Sequence, residues 1–270
     1  MKLADARHAF VSGGASGIGL AIADALAARG LRVTIADLND EALAAVLAGR
    51  GDGFRGVRLD VRDRGGWRRA KTEAEAAFGP VDIVVNNAGI ASDGKALADM
   101  APESFDRVIA INLTGVFNGV SAFAADLRAR GRGHIVNTAS MSGMVADLPG
   151  LGSYSPAKFG VVAMTETLRL EMAPHGVGVS VLCPSYVATN LMANTLRAGG
   201  ELSDPSASLL AAPMKPPEVG EMVARAIEEN RLYIFTHAGR RAAVEERHAA
   251  IVADFEWMHG AGQGARQPDG

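Results

Sequence analysis

Short runs of β-branched and other apolar residues alternate with longer stretches whose apolar residues recur at helical spacing, and this rhythm most constrains what the chain can fold into. The runs are His8–Ser12, Arg32–Ala36, Gly56–Leu59, Ile83–Asn86, His134–Thr138, Gly178–Cys183 and Tyr233–Phe235. Between them lie Ile18–Ala28, Asp40–Ala48, Arg64–Phe78, Pro102–Arg130, Pro156–Ala173 and Glu218–Asn230. Parallel strands need a crossover of a dozen or so residues, and a helix supplies it. The expected fold class is α/β, one doubly wound domain with a seven-stranded parallel sheet flanked by helices. No internal repeat and no Ser/Gly-rich linker divides the 270 residues, a length that buries a core without staples.

Two segments break the rhythm. Residues 190–217 carry Gly199-Gly200 and Pro216-Pro217 among Leu, Met and Ala, which suits a substrate lid or an ordinary surface excursion. Near the end, Val244, His248, Ile251 or Val252, and Phe255 fall on one stripe, so a helix is expected over about 240–255. The expected organisation is a domain over 1–255 and a flexible tail over 256–270.

A formal net charge of -3 gives no general attraction for nucleic acid or for an anionic membrane, so small molecules are the expected partners. The single cysteine, Cys183, excludes an intramolecular disulfide and fits a reducing compartment. The start has no apolar signal-like region, and charge is expected to break each apolar run before about 18 residues. These features together predict a cytoplasmic protein. The six His residues have no metal-ligand spacing, and the cluster Arg62, Arg64, Arg68, Arg69 and Lys71 reads as a solvated helix face.

The first strand runs into Ser12-Gly13-Gly14-Ala15-Ser16-Gly17-Ile18-Gly19 and then a helix. A pyrophosphate needs backbone N–H groups at a helix N-terminus and residues without Cβ, and Gly13, Gly17 and Gly19 supply both. A tight turn without a ligand has the same appearance. The second strand leads into Asp37, whose carboxylate can accept both hydroxyls of an adenosine ribose and repels a 2′-phosphate, favouring NAD over NADP. Neither Ser16, Leu38 nor Asn39 offers a 2′-phosphate a positive charge. An N-terminal helix cap is the alternative role for Asp37.

From about Phe10 to Phe235 the sequence resembles the short-chain dehydrogenase/reductase family, a group of Rossmann-type enzymes. The resemblance rests on the order of the glycine turn, Asp60-Val61, Asn86-Asn87-Ala88-Gly89, Asn112, Ser140, Tyr154-Ser155-Pro156-Ala157-Lys158 and Pro184 to Thr189. It implies NAD as cofactor, held by Gly13, Ser16, Gly17, Ile18, Gly19 and Asp37, with Asp60 and the Val61 backbone at the adenine. Asn86 to Gly89, among them Ala88, would close over the adenosine side, Val187 and Thr189 would meet the nicotinamide carboxamide, and Pro184 would also border the cofactor. Asn112, Ser140, Tyr154 and Lys158 would form a catalytic tetrad, with Tyr154 and Lys158 also contacting the cofactor. A homotetramer or dimer built through Pro102–Arg130 and Pro156–Ala173 is implied as well.

Taking a hydride from a secondary alcohol requires a base beside its oxygen, and a free tyrosine, with a pKa near 10, ionises too little at neutral pH. Lys158, four residues on, is expected to lower the Tyr154 pKa and to bind the nicotinamide ribose. Ser140 would orient the substrate oxygen, and Asn112 would hold a water linking Lys158 to solvent. A buried structural Asn is the alternative for that residue.

Pro156 requires the helix to begin near Ser153 or Ser155. The family's Pro-Gly after the sixth strand reads Pro184-Ser185 here, and the Ser140–Tyr154 loop is one residue longer than the family spacing. The expected activity is interconversion of a secondary alcohol and a ketone on a medium-sized, partly hydrophobic substrate. Leu148, Leu151, Tyr186, Leu191, Met192 and Leu196 are the side chains expected near it. The end of the chain resembles that of dehydrogenases of bulky aryl carbinols, and alicyclic and steroid alcohols stay open. The rivals are a sugar-nucleotide epimerase or dehydratase, a non-catalytic dinucleotide sensor and an S-adenosylmethionine methyltransferase.

Overall fold

The computed structural model describes residues 3–200 and 213–260. Residues 201–212 of the expected lid and 261–270 of the expected tail lie outside the described residues. The strands are β1 (His8–Ser12), β2 (Arg32–Asp37), β3 (Phe54–Arg58), β4 (Ile83–Asn86), β5 (Gly133–Thr138), β6 (Val177–Cys183) and β7 (Tyr233–Phe235). They form one parallel sheet in the order β3-β2-β1-β4-β5-β6-β7. The winding direction reverses between β1 and β4, so a crevice opens beyond the C-terminal ends of those strands.

Alternation along each strand sends side chains to opposite faces. On one face Val11, Ile35, Val85 and Leu182 meet Ile22 and Leu26 of α1 (Gly17–Ala27) and Val223 and Ile227 of α8 (Pro216–Glu228). On the other, Phe10, Val84, Ile135 and Val179 meet α3 (Arg64–Phe78), α5 (Gly115–Arg130) and α6 (Tyr154–Met172) through Trp67, Phe123 and Leu168. The Phe10 ring sits 5.8 Å from Trp67 and 5.1 Å from Phe123 between centroids. Each such fully buried side chain stabilises the fold by about 1.5–3 kcal/mol. The remaining helices are α2 (Asp40–Leu47), α4 (Pro102–Ile109), α7 (Leu191–Arg197) and α9 (Arg241–Gly260).

The expected single helix over Pro102–Arg130 contains a wide turn at Ala110–Thr114, where Gly115 N–H donates to Ala110 O, five residues back. The expectation that charge breaks every apolar run early is corrected here. This helical run holds an 18-residue window of mean hydropathy 1.6, half of it buried, because no charge falls between Arg107 and Asp126. It is long and apolar enough to cross a membrane by length and composition, yet Val120, Phe123 and Leu127 are buried against the sheet. The chain divides into two compact units, the second beginning at His237 and containing α9, which continues past the expected end at residue 255 to Gly260.

His134, on β5, is fully buried, with Nε2 2.8 Å from Ser180 Oγ, which itself donates to Arg231 O. Burial, first of all, pushes its imidazole down to about 3. The folded state therefore holds His134 neutral while the unfolded chain takes up a proton below its ordinary pKa. The resulting stability is present above pH 6.5 and drains away as pH falls towards 3. We expect unfolding free energy at pH 5 to be about 2 kcal/mol below that at pH 7 from this group. Urea titrations should show a smaller drop in His134→Asn; an identical drop would remove His134 as its source.

Candidate active site

The crevice at the switch point is a two-lobed cleft. The inner lobe, of about 750 Å³, is lined by the glycine turn, 87–90, Thr138–Ser140, Tyr154, Lys158, 184–192, Asn194 and Pro213. The outer lobe, of about 570 Å³, is lined by 37–41, 59–62, 88–90, Ile111, Asn194, Arg197 and Ala198. Gly13, Ala88, Gly89, Ile90 and Asn194 border both.

The glycine turn forms the waist. Gly13 and Gly17 have φ of +62° and +55°, a left-handed conformation that side chains disfavour. A Cβ on Gly13 would also come within 2.7 Å of Ala88 Cα. Ser16 stands at the N-cap of α1 without a side-chain cap hydrogen bond, and it lines the cleft with Gly17 and Ile18. The first N–H groups of α1 thus meet the cleft uncapped, a donor set suited to a pyrophosphate. Gly19 lies behind the turn, where a Cβ would fall 2.2 Å from Gly13 O and 2.5 Å from Asn87 Nδ2.

Asp37 at the end of β2 lines the outer lobe and is not the cap of α2. Asn39 holds that position, its Oδ1 accepting from Ala42 N–H at 3.2 Å. Asp37 instead accepts from Ala15 N–H and Asn39 N–H, both at 3.1 Å, which fixes its carboxylate beside the turn. Asp60 and Val61 line the same lobe. The Asp60 carboxylate is engaged by the Nε, Nη2 and backbone N–H of Arg62, and that guanidinium holds it below the usual carboxylate range. Val61 turns its carbonyl inward to Trp67 Nε1 and Asn118 Nδ2.

In the inner lobe, Ser140 caps a short turn, accepting from Ser142 N–H at 3.1 Å, and sits against Tyr154 at the start of α6. Pro156 occupies the first turn of that helix, where its missing N–H is harmless. Lys158, 3% exposed, donates to Thr138 O at 2.9 Å, and its Nζ lies 5.5 Å from the Tyr154 ring centroid. Burial pushes the Tyr154 phenol up, with the Ser140 hydrogen bond opposing, and pushes the Lys158 amine down to about 8. The depressed phenol expected from Lys158 is not what these groups alone produce. Both are desolvated, and desolvation disfavours the charged form of each.

Asn112 lies in the wide turn, fully buried, its Oδ1 accepting from Ile90 N–H at 2.9 Å and its Nδ2 donating to Ile90 O at 2.8 Å. Its amide borders the site without lining the cleft. A Cβ on Gly89 would lie 3.2 Å from Asn112 Oδ1 and 3.7 Å from Lys158 Nζ.

Asn86 does not reach the cleft. It is 1% exposed and donates through Nδ2 to Asn137 Oδ1 at 2.8 Å, inside the core. The cleft residue is its neighbour Asn87, whose Nδ2 donates to Gly13 O at 3.1 Å. Ala88, Gly89, Pro184, Val187 and Thr189 do line the inner lobe. So do Tyr186, Leu191 and Met192, whereas Leu148, Leu151 and Leu196 do not. Asn190, Asn194 and Arg197 were missed, and no sequence spacing marks them.

A parallel doubly wound sheet, a glycine turn at its switch point and a Ser, Tyr and Lys along one wall define an α/β protein of the dinucleotide-binding type. Residues 7–199 match the short chain dehydrogenase family model. The chain is 33% identical to a C alpha-dehydrogenase of Sphingobium sp. over 96% of its own length and 90% of that protein's. It is 38% identical to a 3-alpha-(or 20-beta)-hydroxysteroid dehydrogenase of Mycobacterium bovis, over 67% and 69% of the two chains. A short chain dehydrogenase/reductase of Burkholderia phymatum, solved in complex with NAD, superposes with a TM-score of 0.84 at 32% identity, covering 94% of this chain and 97% of that one. The chain belongs to the short-chain dehydrogenase/reductase family of oxidoreductases.

Proposed function

We propose that the protein is an NAD-dependent dehydrogenase that interconverts a secondary alcohol and a ketone. The observation carrying this reading is the convergence of Ser140, Tyr154 and Lys158 on one lobe of a cleft whose other lobe holds an anchored Asp37. The uncapped start of α1 between them fits a pyrophosphate, and the NAD complex of the Burkholderia relative points to the same class of cofactor. When bound, a nicotinamide dinucleotide would supply the acceptor or donor of the hydride.

The protein's own groups handle the proton. Tyr154 Oη accepts the hydroxyl proton as the alcohol is oxidised and returns it in the reverse direction. Ser140 Oγ donates to the substrate oxygen and steadies charge developing there. Lys158, held by Thr138 O, keeps an ammonium beside the phenolate, with Asn112 bracing the neighbouring backbone. Tyr186, Leu191, Met192 and Pro213 give the inner lobe an apolar wall, and Asn190 and Asn194 add amides. That lining suits a partly hydrophobic alcohol without a fixed charge, of aryl, alicyclic or steroid type. The names of the relatives, a C alpha-dehydrogenase and a hydroxysteroid dehydrogenase, agree with this range.

Absorbance at 340 nm should rise when the protein meets NAD and a member of an aryl, alicyclic and steroid alcohol panel. Equal or better use of NADP would overturn the cofactor assignment, and silence across the panel in both directions would overturn the substrate class.

A further inference from the structure

The segment after β4, residues 87–96, contains no helix or strand, so its buried backbone has to find partners elsewhere. Four successive residues are each tied to a different part of the fold. Ile90 is gripped at both its N–H and its carbonyl by the Asn112 amide. Ala91 N–H donates to Thr195 Oγ1 at 2.8 Å. Ser92 Oγ lies 3.2 Å from the Oγ of Ser153, the residue that immediately precedes Tyr154. Asp93 Oδ2 accepts from Ser104 Oγ of α4 at 2.7 Å.

The second of these ties joins the segment to α7. Thr195 is 1% exposed on a helix whose Met192 and Leu196 are 41% and 56% exposed. Its hydroxyl proton is committed to Leu191 O at 2.9 Å, which leaves a lone pair to accept from Ala91. Helix α7 touches both lobes, with Leu191 and Met192 in the inner, Arg197 in the outer and Asn194 in both, and Ala198 just past its end also in the outer. It has only seven residues, too few to hold its place by helix formation alone.

We propose that Thr195 is a positioning residue: its bond to Ala91 seats α7 across the waist of the cleft, and the 90–93 strip ties that seating to Tyr154 and Asn112. The proposal rests on the dinucleotide reading, because α7 borders both of the lobes that would hold such a cofactor. Seating α7 and aligning the proton-transfer group become one event. A helix that merely covered the cofactor would alter binding alone.

The test uses Thr195→Val, which keeps the shape and removes the hydroxyl, and Thr195→Ser, which restores it. Thr195→Ala removes the hydroxyl together with the methyl and adds no bulk, in case Val fits poorly. In the hydroxyl-free variants the Ala91 amide should exchange hydrogen about tenfold faster, the expected effect of losing one bond. Amides of β1 and β4 should be unchanged. The dissociation constant for NADH, read by fluorescence, should rise about tenfold, and kcat at saturating substrates should fall at least about threefold. Thr195→Ser should lie within about twofold of wild type in all three.

Wild-type exchange at Ala91 in Thr195→Val, or a serine variant as impaired as the valine one, overturns the proposal. An effect on KM with kcat intact overturns the link to Tyr154. If the wild-type protein binds no NADH, the dinucleotide reading fails, and exchange at Ala91 alone then decides whether the tie holds α7.

Discussion

Tyr154→Phe is expected to lower kcat by about a thousandfold while leaving the dissociation constant for NADH within about twofold of wild type. The substitution removes one oxygen and keeps the ring. Lys158 does not depend on that oxygen for its position, because its ammonium is held by Thr138 O at 2.9 Å and meets the ring face at 5.5 Å from the centroid. Ser140 likewise keeps its contact with Ser142 N–H. The variant should therefore fold, bind cofactor and stop at proton transfer. Steady-state rates with the best alcohol of the panel, beside a fluorescence titration with NADH, separate the two quantities. Turnover above about one-tenth of wild type would mean that another group carries the proton.

Asp37→Asn should lower the ratio of kcat/KM for NAD over NADP by about a hundredfold, mainly through improved use of NADP. The carboxylate faces the lobe where a 2′-phosphate would sit, and like charges at such a distance repel by up to a few kcal/mol at protein-like dielectric. Asparagine retains an oxygen able to accept from Ala15 or Asn39 N–H, so the loop should survive. Arg62 and Arg197 line the same lobe and would favour a phosphate once the acid is neutralised. An unchanged ratio would show that selectivity is set elsewhere.

The layout of the sheet was legible because seven apolar runs sit between amphipathic stretches, and the observed strands differ from those runs by at most a few residues. The start of α6 was legible because Pro156 leaves a helix few places to begin. What the chain withheld depends on partners distant in sequence. Asn86 and Asn87 look interchangeable on paper; the register of β4, with Asn86 opposite both Ser12 and Asn137, decides which enters the core. Asp37 could have been a cap or a ligand-facing acid until Asn39 took the cap. The basic cluster on α3 is only partly a solvated face, since Arg64 donates to Asn118 at 3.0 Å and Lys71 pairs with Asp126 on α5. The direction of the Tyr154 shift depends on how deeply two groups are desolvated, which spacing does not encode.

The wide turn at Ala110–Thr114 also governs phase. Fitting one surplus residue into a single coil sets everything downstream back by roughly 100° relative to an unbroken α-helix. Val108 upstream and Val120, Phe123 and Leu127 downstream all reach the same hydrophobic layer, while Asn112 between them is aimed at Ile90. Two segments that would otherwise be out of step are thereby brought into line, and the polar residue at the joint is freed from the apolar stripe.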